Sequence, residues 1–152
     1  MVTEGTAVPD VTVKDDAGND VHLARLPRPF VLYFYPKADT PGCTREGQQF
    51  RDLYKQFKDK GVEIIGVSRD SIGEQRAFRE KYNFPFRLLA DTESKVCDAF
   101  ETIVERERDG QKTKGVARAT FLIGKGGTVE KVWPAVSVDG HGDEVLGACS
   151  LS

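Results

Sequence analysis

The sequence is poor in the residues that most metal and disulfide chemistry requires. Its 152 residues include three cysteines, Cys43, Cys97 and Cys149, and two histidines, His22 and His141. No Cys-x-x-Cys pair occurs, so the local ligand spacing of a zinc site and the dithiol of a disulfide exchanger are both missing. An odd number of widely spaced cysteines does not make a disulfide framework, and it suits a reducing compartment. No apolar run approaches the ~20 residues of a membrane span. The opening Met1-Val2-Thr3-Glu4-Gly5-Thr6-Ala7 lacks the basic start and the apolar stretch of ~7–15 residues of a secretory signal, so the expected location is the cytoplasm. A surplus of charge is also absent. Lysine and arginine number 22 against 24 acids, a net −2, which gives no general attraction to nucleic acid or anionic membrane. Lys112 and Lys114 form a short, interrupted basic cluster that reads as solvated surface. Gly124-Lys125-Gly126-Gly127 lacks a Ser or Thr after the lysine and precedes no helix, so it is a turn rather than a phosphate loop. Neither a cofactor nor a metal is expected.

What the chain does have is alternation of strand and helix patterns over a length suited to a single domain, residues 1–152. Val11–Lys14 and Val21-His22-Leu23 flank an Asp/Gly/Asn turn, which predicts an N-terminal β-hairpin with His22 exposed. Phe30–Tyr35 is an uninterrupted apolar run, read as a strand buried on both faces. Phe50, Leu53, Tyr54 and Phe57 then recur at helical spacing up to Gly61. Val62–Ser68 predicts a second strand, parallel to the first across the helical crossover. Ser71-x-x-Glu74 is a capping box opening a helix through Tyr82, and Phe84-Pro85 stops it. Leu88–Ala90 is a brief strand; a helix from Asp91 or Thr92 carries Val96, Cys97, Phe100 and Ile103. Glu105–Gly110 is a charged connection or hairpin, Ala119–Ile123 and Thr128–Trp133 a further hairpin. Asp139–Glu144 opens a last helix through Cys149, with His141 as a cap or turn residue. The order describes an α/β sandwich.

Chemistry concentrates where the first buried strand gives way to the first helix, at Pro36-Lys37-Ala38-Asp39-Thr40-Pro41-Gly42-Cys43. The first N–H groups of a helix have no internal partner and carry partial positive charge, so a helix start stabilises an anion. A cysteine there gains thiolate character, and the thiolate is the nucleophile. The plainer reading is a small buried thiol that packs. Thr40 has two readings as well, an N-cap or a hydroxyl beside the sulfur, and Pro36 ends the strand and limits water at the thiolate.

Pro36-x-x-x-Thr40-x-x-Cys43 resembles the active-site motif of the peroxiredoxins. The longer Tyr35–Thr44 string with Glu46 is similar to their Q type, the bacterioferritin comigratory proteins. Val8-Pro9-Asp10, Leu89-Ala90-Asp91, Arg118–Ile123 and Gly140-His141-x-Asp143-Glu144-Val145-Leu146 are similar to family segments too, so the resemblance spans nearly the whole chain. It implies a thioredoxin-like fold with an N-terminal β-hairpin extension. The implied activity is reduction of hydrogen peroxide and organic hydroperoxides by Cys43, with Thr40, Pro36 and Arg118 in catalytic positions and Gly42 and Glu46 supporting them. Arg118 enters a predicted strand, where an unpaired charge is costly; its alternative is a strand-end residue paired to a carboxylate. Glu46 lies one turn after Cys43 and either orients that arginine or is a surface acid.

The sequence departs from the family where many Q-type members carry a resolving cysteine, five residues after the first; Gln48 stands there. The sulfenic acid formed by peroxide needs a second thiol. An external thiol of thioredoxin, glutaredoxin or glutathione type is the expected reductant, with Cys97 as the intramolecular alternative, and the chain is expected to be a monomer or weak homodimer. Two other function classes stay open at this point, a thiol-disulfide oxidoreductase on the same fold and a non-catalytic holdase.

Overall fold

The computed structural model describes residues 1–149. Among the described residues, nine strands and four α-helices follow in the order β1 (Thr12–Asp15), β2 (Asp20–His22), β3 (Phe30–Phe34), α1 (Pro41–Asp59), β4 (Glu63–Ser68), α2 (Ile72–Tyr82), β5 (Leu88–Ala90), α3 (Lys95–Ala99), β6 (Ile103–Arg108), β7 (Gln111–Val116), β8 (Ala119–Ile123), β9 (Val129–Trp133) and α4 (His141–Ala148). Seven strands form one sheet in the order β2-β1-β5-β4-β3-β8-β9, while β6 and β7 pair as a separate hairpin. The β3–β4 and β4–β5 pairs are parallel, as crossovers through α1 and α2 require; β8 joins β3 antiparallel, Phe34 opposite Ala119.

Every residue of β3 and of β8 is buried, because both strands are covered by packed layers on two faces. Strand alternation divides the core accordingly. Leu32 and Phe34 belong to one apolar cluster with Cys97, Phe100 and Phe121, whereas Val31, Tyr33 and Tyr35 belong to another with Cys43, Phe50, Phe57 and Trp133. On α1 the buried positions Cys43, Glu46, Gly47, Phe50 and Phe57 fall on a single helical stripe. Burying Phe50 and Phe57 contributes about 1.5–3 kcal/mol each and holds that stripe against the sheet. Gly47 permits the close packing: a Cβ there would meet Phe84 at 2.5 Å.

The N-terminal hairpin forms as expected, and its β1 strand adds to the sheet antiparallel to β5. The capping box of α2 also forms, Ser71 Oγ accepting from Glu74 N while Glu74 accepts from Ser71 N. Three expectations need correction. The helix after Asp91 is one short segment, Lys95–Ala99, bracketed by left-handed Ser94 (φ 60°) and Glu101 (φ 59°); Ile103 therefore opens β6. His22 is half-buried instead of exposed, its Nδ1 2.8 Å from Thr12 Oγ1. His141 does start α4 next to the Gly140 cap, but it is a buried residue whose Nε2 lies 2.8 Å from Thr120 Oγ1, with its ring edge-on to Phe50 and Trp133.

Candidate active site

The carboxyl ends of β3 and β4 and the start of β8 lie at the same end of the sheet, and α1 begins there. Pro41 occupies the first helical position, where a missing N–H leaves nothing unsatisfied, and Thr44 N closes the first helical bond onto Thr40 O at 2.8 Å. The N–H groups of Gly42 and Cys43 then have no intrahelical acceptor. Cys43 is buried, with 1% of its surface exposed.

Arg118, the residue before β8, reaches across to it. One guanidinium nitrogen, Nη2, donates to Cys43 Sγ at 3.3 Å, and the other, Nη1, donates to Glu46 Oε1 at 2.8 Å. Gly42 eases the approach, since a Cβ at that position would stand 3.1 Å from Nη2 and displace it slightly. Burial opposes the charge of Arg118, but Glu46 and Cys43 outweigh it and hold the guanidinium above its usual pKa. Glu46 has no exposed surface, and burial pushes its carboxyl up to about 7 against the opposing pull of Arg118. Its second oxygen, Oε2, has no hydrogen-bond partner, and neither has the Tyr33 hydroxyl; among the described residues these are the two such buried side-chain atoms.

Of the residues singled out from sequence, Cys43, Arg118, Glu46 and Gly42 thus meet. Pro36 follows β3 half-buried. Thr40 takes the N-cap position with extended backbone, and its hydroxyl donates to Lys37 O at 2.8 Å. A hydroxyl has one proton, so Oγ1 in this arrangement offers lone pairs.

Sequence reasoning overlooked the residues that tie down the loop before the cysteine. Ala38 N donates to Asp70 Oδ2 at 2.8 Å, and the buried Ser68 Oγ donates to the same oxygen at 2.6 Å. Asp39, at φ 60°, accepts from Lys81 Nζ at 2.9 Å and from Tyr82 Oη at 2.7 Å; Arg45 pairs with Asp139 at 3.0 Å. The available signal was topological. Ser68 and Asp70 sit at the carboxyl end of the parallel strand beside β3, where the loops of an α/β sheet converge.

The other two thiols are remote from this cluster. Cys97 is fully buried in the opposite apolar layer; burial first, and then the Asp91 carboxylate, push its thiol well above the usual range. Cys149 shares the layer of Cys43 but lies at the far end of α1, its carbonyl accepting from Lys60 Nζ at 3.1 Å. At 1.5 Å per helical residue, the span from Cys43 to Lys60 leaves the two sulfurs on the order of 20 Å apart. Burial also raises the Cys149 thiol.

The model of the AhpC/TSA family matches residues 5–132. The chain belongs to the AhpC/TSA family. Within it, peroxiredoxin Bcp of Bacillus subtilis is 43% identical over 143 residues, covering 93% of this chain and 91% of that protein. Peroxiredoxin Bcp of Xanthomonas campestris is 44% identical over 118 residues, 78% of this chain and 74% of the relative. A solved structure of the X. campestris bacterioferritin comigratory protein superposes with a TM-score of 0.90 at 37% identity over 97% of each chain. This AhpC/TSA member therefore has the thioredoxin-like peroxiredoxin fold and is a thiol-dependent peroxidase. No helix among its described residues is long and apolar enough to cross a membrane, and they contain no cluster of His, Cys, Asp or Glu that could hold a metal ion.

Proposed function

We propose that Cys43 is the nucleophile of this peroxidase and that an external thiol completes its cycle. The observation that carries the reading is the Arg118 guanidinium, 3.3 Å from Cys43 Sγ, at the start of a 19-residue helix. A cation and free amide donors stabilise an anionic sulfur and the charge that moves to the departing oxygen. The thiolate attacks one peroxide oxygen, the O–O bond breaks, and sulfur is left as a sulfenic acid. Thr40, its lone pairs directed away from the Lys37 carbonyl, binds the protonated oxygen of the substrate; Pro36 limits water; Gly42 and Glu46 keep Arg118 in place.

Resolution by Cys97 would require a bond through the sheet, and resolution by Cys149 a bond along most of α1, which supports an outside thiol of thioredoxin, glutaredoxin or glutathione type. Reduction of alkyl peroxides, the activity studied in the X. campestris relative, is proposed here together with reduction of hydrogen peroxide. Three free cysteines without a disulfide suit work in a reducing cytoplasm, as a single domain over residues 1–152. The deciding experiment is mass spectrometry after one equivalent of peroxide. The expected product is a sulfenic acid on Cys43 that persists until small thiol is added, and a Cys43–Cys97 disulfide would overturn external resolution.

A further inference from the structure

The cluster around Cys43 contains two groups able to carry negative charge and one cation between them. Arg118 places Nη2 on the sulfur at 3.3 Å and Nη1 on Glu46 Oε1 at 2.8 Å. Cys43 and Glu46 are three residues apart on α1, so they stand one above the other on its buried face, 1% and 0% exposed. If both were ionised beside one guanidinium, the buried cluster would hold an uncompensated negative charge, which is costly where water is excluded. The unpartnered Oε2 of Glu46 is where a proton removes that charge.

We propose that Glu46 is the proton store of the reaction: it holds a proton while Cys43 is a thiolate and yields it to the departing oxygen as the sulfur becomes a neutral sulfenic acid. The inference rests on Cys43 being the peroxide-reducing nucleophile. The step balances as Cys43-S⁻ + ROOH + Glu46-COOH → Cys43-SOH + ROH + Glu46-COO⁻. Sulfur loses two electrons, the O–O bond gains them, and the departing oxygen gains the carboxyl proton. Arg118 faces one anion before the step, the thiolate, and one after it, the Glu46 carboxylate, so the buried cluster is neutral throughout. Regeneration reverses the transfer. One external thiol forms a mixed disulfide with Cys43 and releases water; a second displaces Cys43 as thiolate, and the proton it gives up returns to Glu46.

The surroundings leave Glu46 as the group that can do this. Tyr33 of β3 bears on Glu46, Cys43 and Arg118, and Tyr35, just after the strand, bears on Cys43; burial drives both phenols well above their usual pKa and keeps them neutral. From α4, His141 bears on Arg118, and burial pushes its imidazole down, so it too is neutral. The carboxyl of Glu46 titrates at about 7, near the working pH at which a proton donor is most useful. Orientation of Arg118 is a separate matter, because Oε1 accepts from Nη1 in either protonation state.

The substitution Glu46→Gln separates the two roles, keeping an acceptor for Nη1 and removing the transferable proton. Reduced enzyme at about pH 8, above the pH at which Glu46 would regain a proton from water once the sulfur is neutral, is mixed with one equivalent of hydrogen peroxide. Thiolate absorbance, dimedone-trapped sulfenic acid, proton uptake from a weakly buffered solution and the infrared carboxyl bands are then followed. The expected wild-type result is loss of the thiolate, formation of the sulfenic acid, conversion of a carboxylic-acid band to a carboxylate band and almost no proton uptake. Glu46→Gln should lack that band change and take up about one proton per peroxide, with oxidation slowed about 10²-fold, the lower end of general-acid effects. Should the variant fail to fold, the wild-type infrared difference decides the matter on its own. Sulfenic acid formed with an unchanged carboxylic-acid band, or with equal proton uptake in both proteins, overturns the proton store and leaves Cys43 as nucleophile. Absence of any sulfenic acid on Cys43 in the wild type overturns both readings.

Discussion

Cys43 and Cys97 are both buried thiols on helices, packed against opposite faces of one sheet, and each has a buried carboxyl for a neighbour. The difference is what lies between sulfur and carboxyl. At Cys97 nothing intervenes: Asp91 accepts from Val96 N and Cys97 N at 3.1 and 2.8 Å, and its charge adds to burial in keeping the thiol protonated. At Cys43 the Arg118 guanidinium stands between sulfur and Glu46, and the helix start adds its own field. Burial alone favours a protonated, inert thiol; a cation shared with a carboxyl is the feature on which the proposed role of Cys43 as nucleophile rests.

The comparison breaks most completely if the wrong sulfur is removed. Cys43→Ser is expected to reduce peroxide consumption to background while Cys97→Ser retains it, in a coupled assay with a small thiol as reductant. Next in size is the cation itself. Arg118→Met makes the surroundings of Cys43 resemble those of Cys97, and a loss of about 10²–10³ in kcat/KM is expected, the usual cost of deleting a donor to developing charge. Arg118→Lys should recover little, because an ammonium cannot bridge sulfur and carboxylate as a planar fork does.

A third test uses pH. Glu46 titrates at about 7 in the folded protein against 4.5 in a model peptide. Between those values the folded chain holds a proton that the unfolded chain has released, so the contribution of this group to stability falls as pH rises through the window. The change is on the order of 3 kcal/mol. Urea midpoints of the reduced protein should fall accordingly from pH 4.5 to 7, and Glu46→Gln should flatten that part of the profile; a slope unchanged in the variant assigns it elsewhere. The smallest effect is expected for Gly42→Ala. Its Cβ would sit 3.1 Å from Arg118 Nη2, so the guanidinium must shift by a few tenths of an ångström. A several-fold loss in kcat/KM, about 1 kcal/mol, is expected with thermal stability little changed.

The legible part of the site was the part made of neighbours in sequence. Buried strand, proline turn, helix start and Cys43 fall within a short stretch, so apolar patterning and helix-start electrostatics suffice to single it out. Glu46 was legible as one turn further along. Arg118 lies 75 residues from Cys43; its entry into a predicted strand made it a candidate cation with two readings, and resemblance to the family pointed to the same residue. Ile103 shows the limit for secondary structure. Its apolar spacing after Val96 and Phe100 continues a helical pattern, yet Glu101 turns left-handed at φ 59° and redirects the chain into β6. His141 shows it for side chains: a turn-forming context in sequence, a buried hydrogen-bonded ring in the fold.

From its own order of residues the chain determined the strand-to-helix junction, the absence of a Cys-x-x-Cys and the presence of Gln48 rather than a second thiol five residues after Cys43. These are local properties, set by period, turn chemistry and the free amides of a helix start. Tertiary structure alone decided that Cys97 faces the far side of the sheet, that Cys149 sits at the other end of α1, and that one guanidinium is shared by Cys43 and Glu46. Those outcomes depend on which strands pair and which faces pack, and such contacts join residues too far apart for any periodicity to link them.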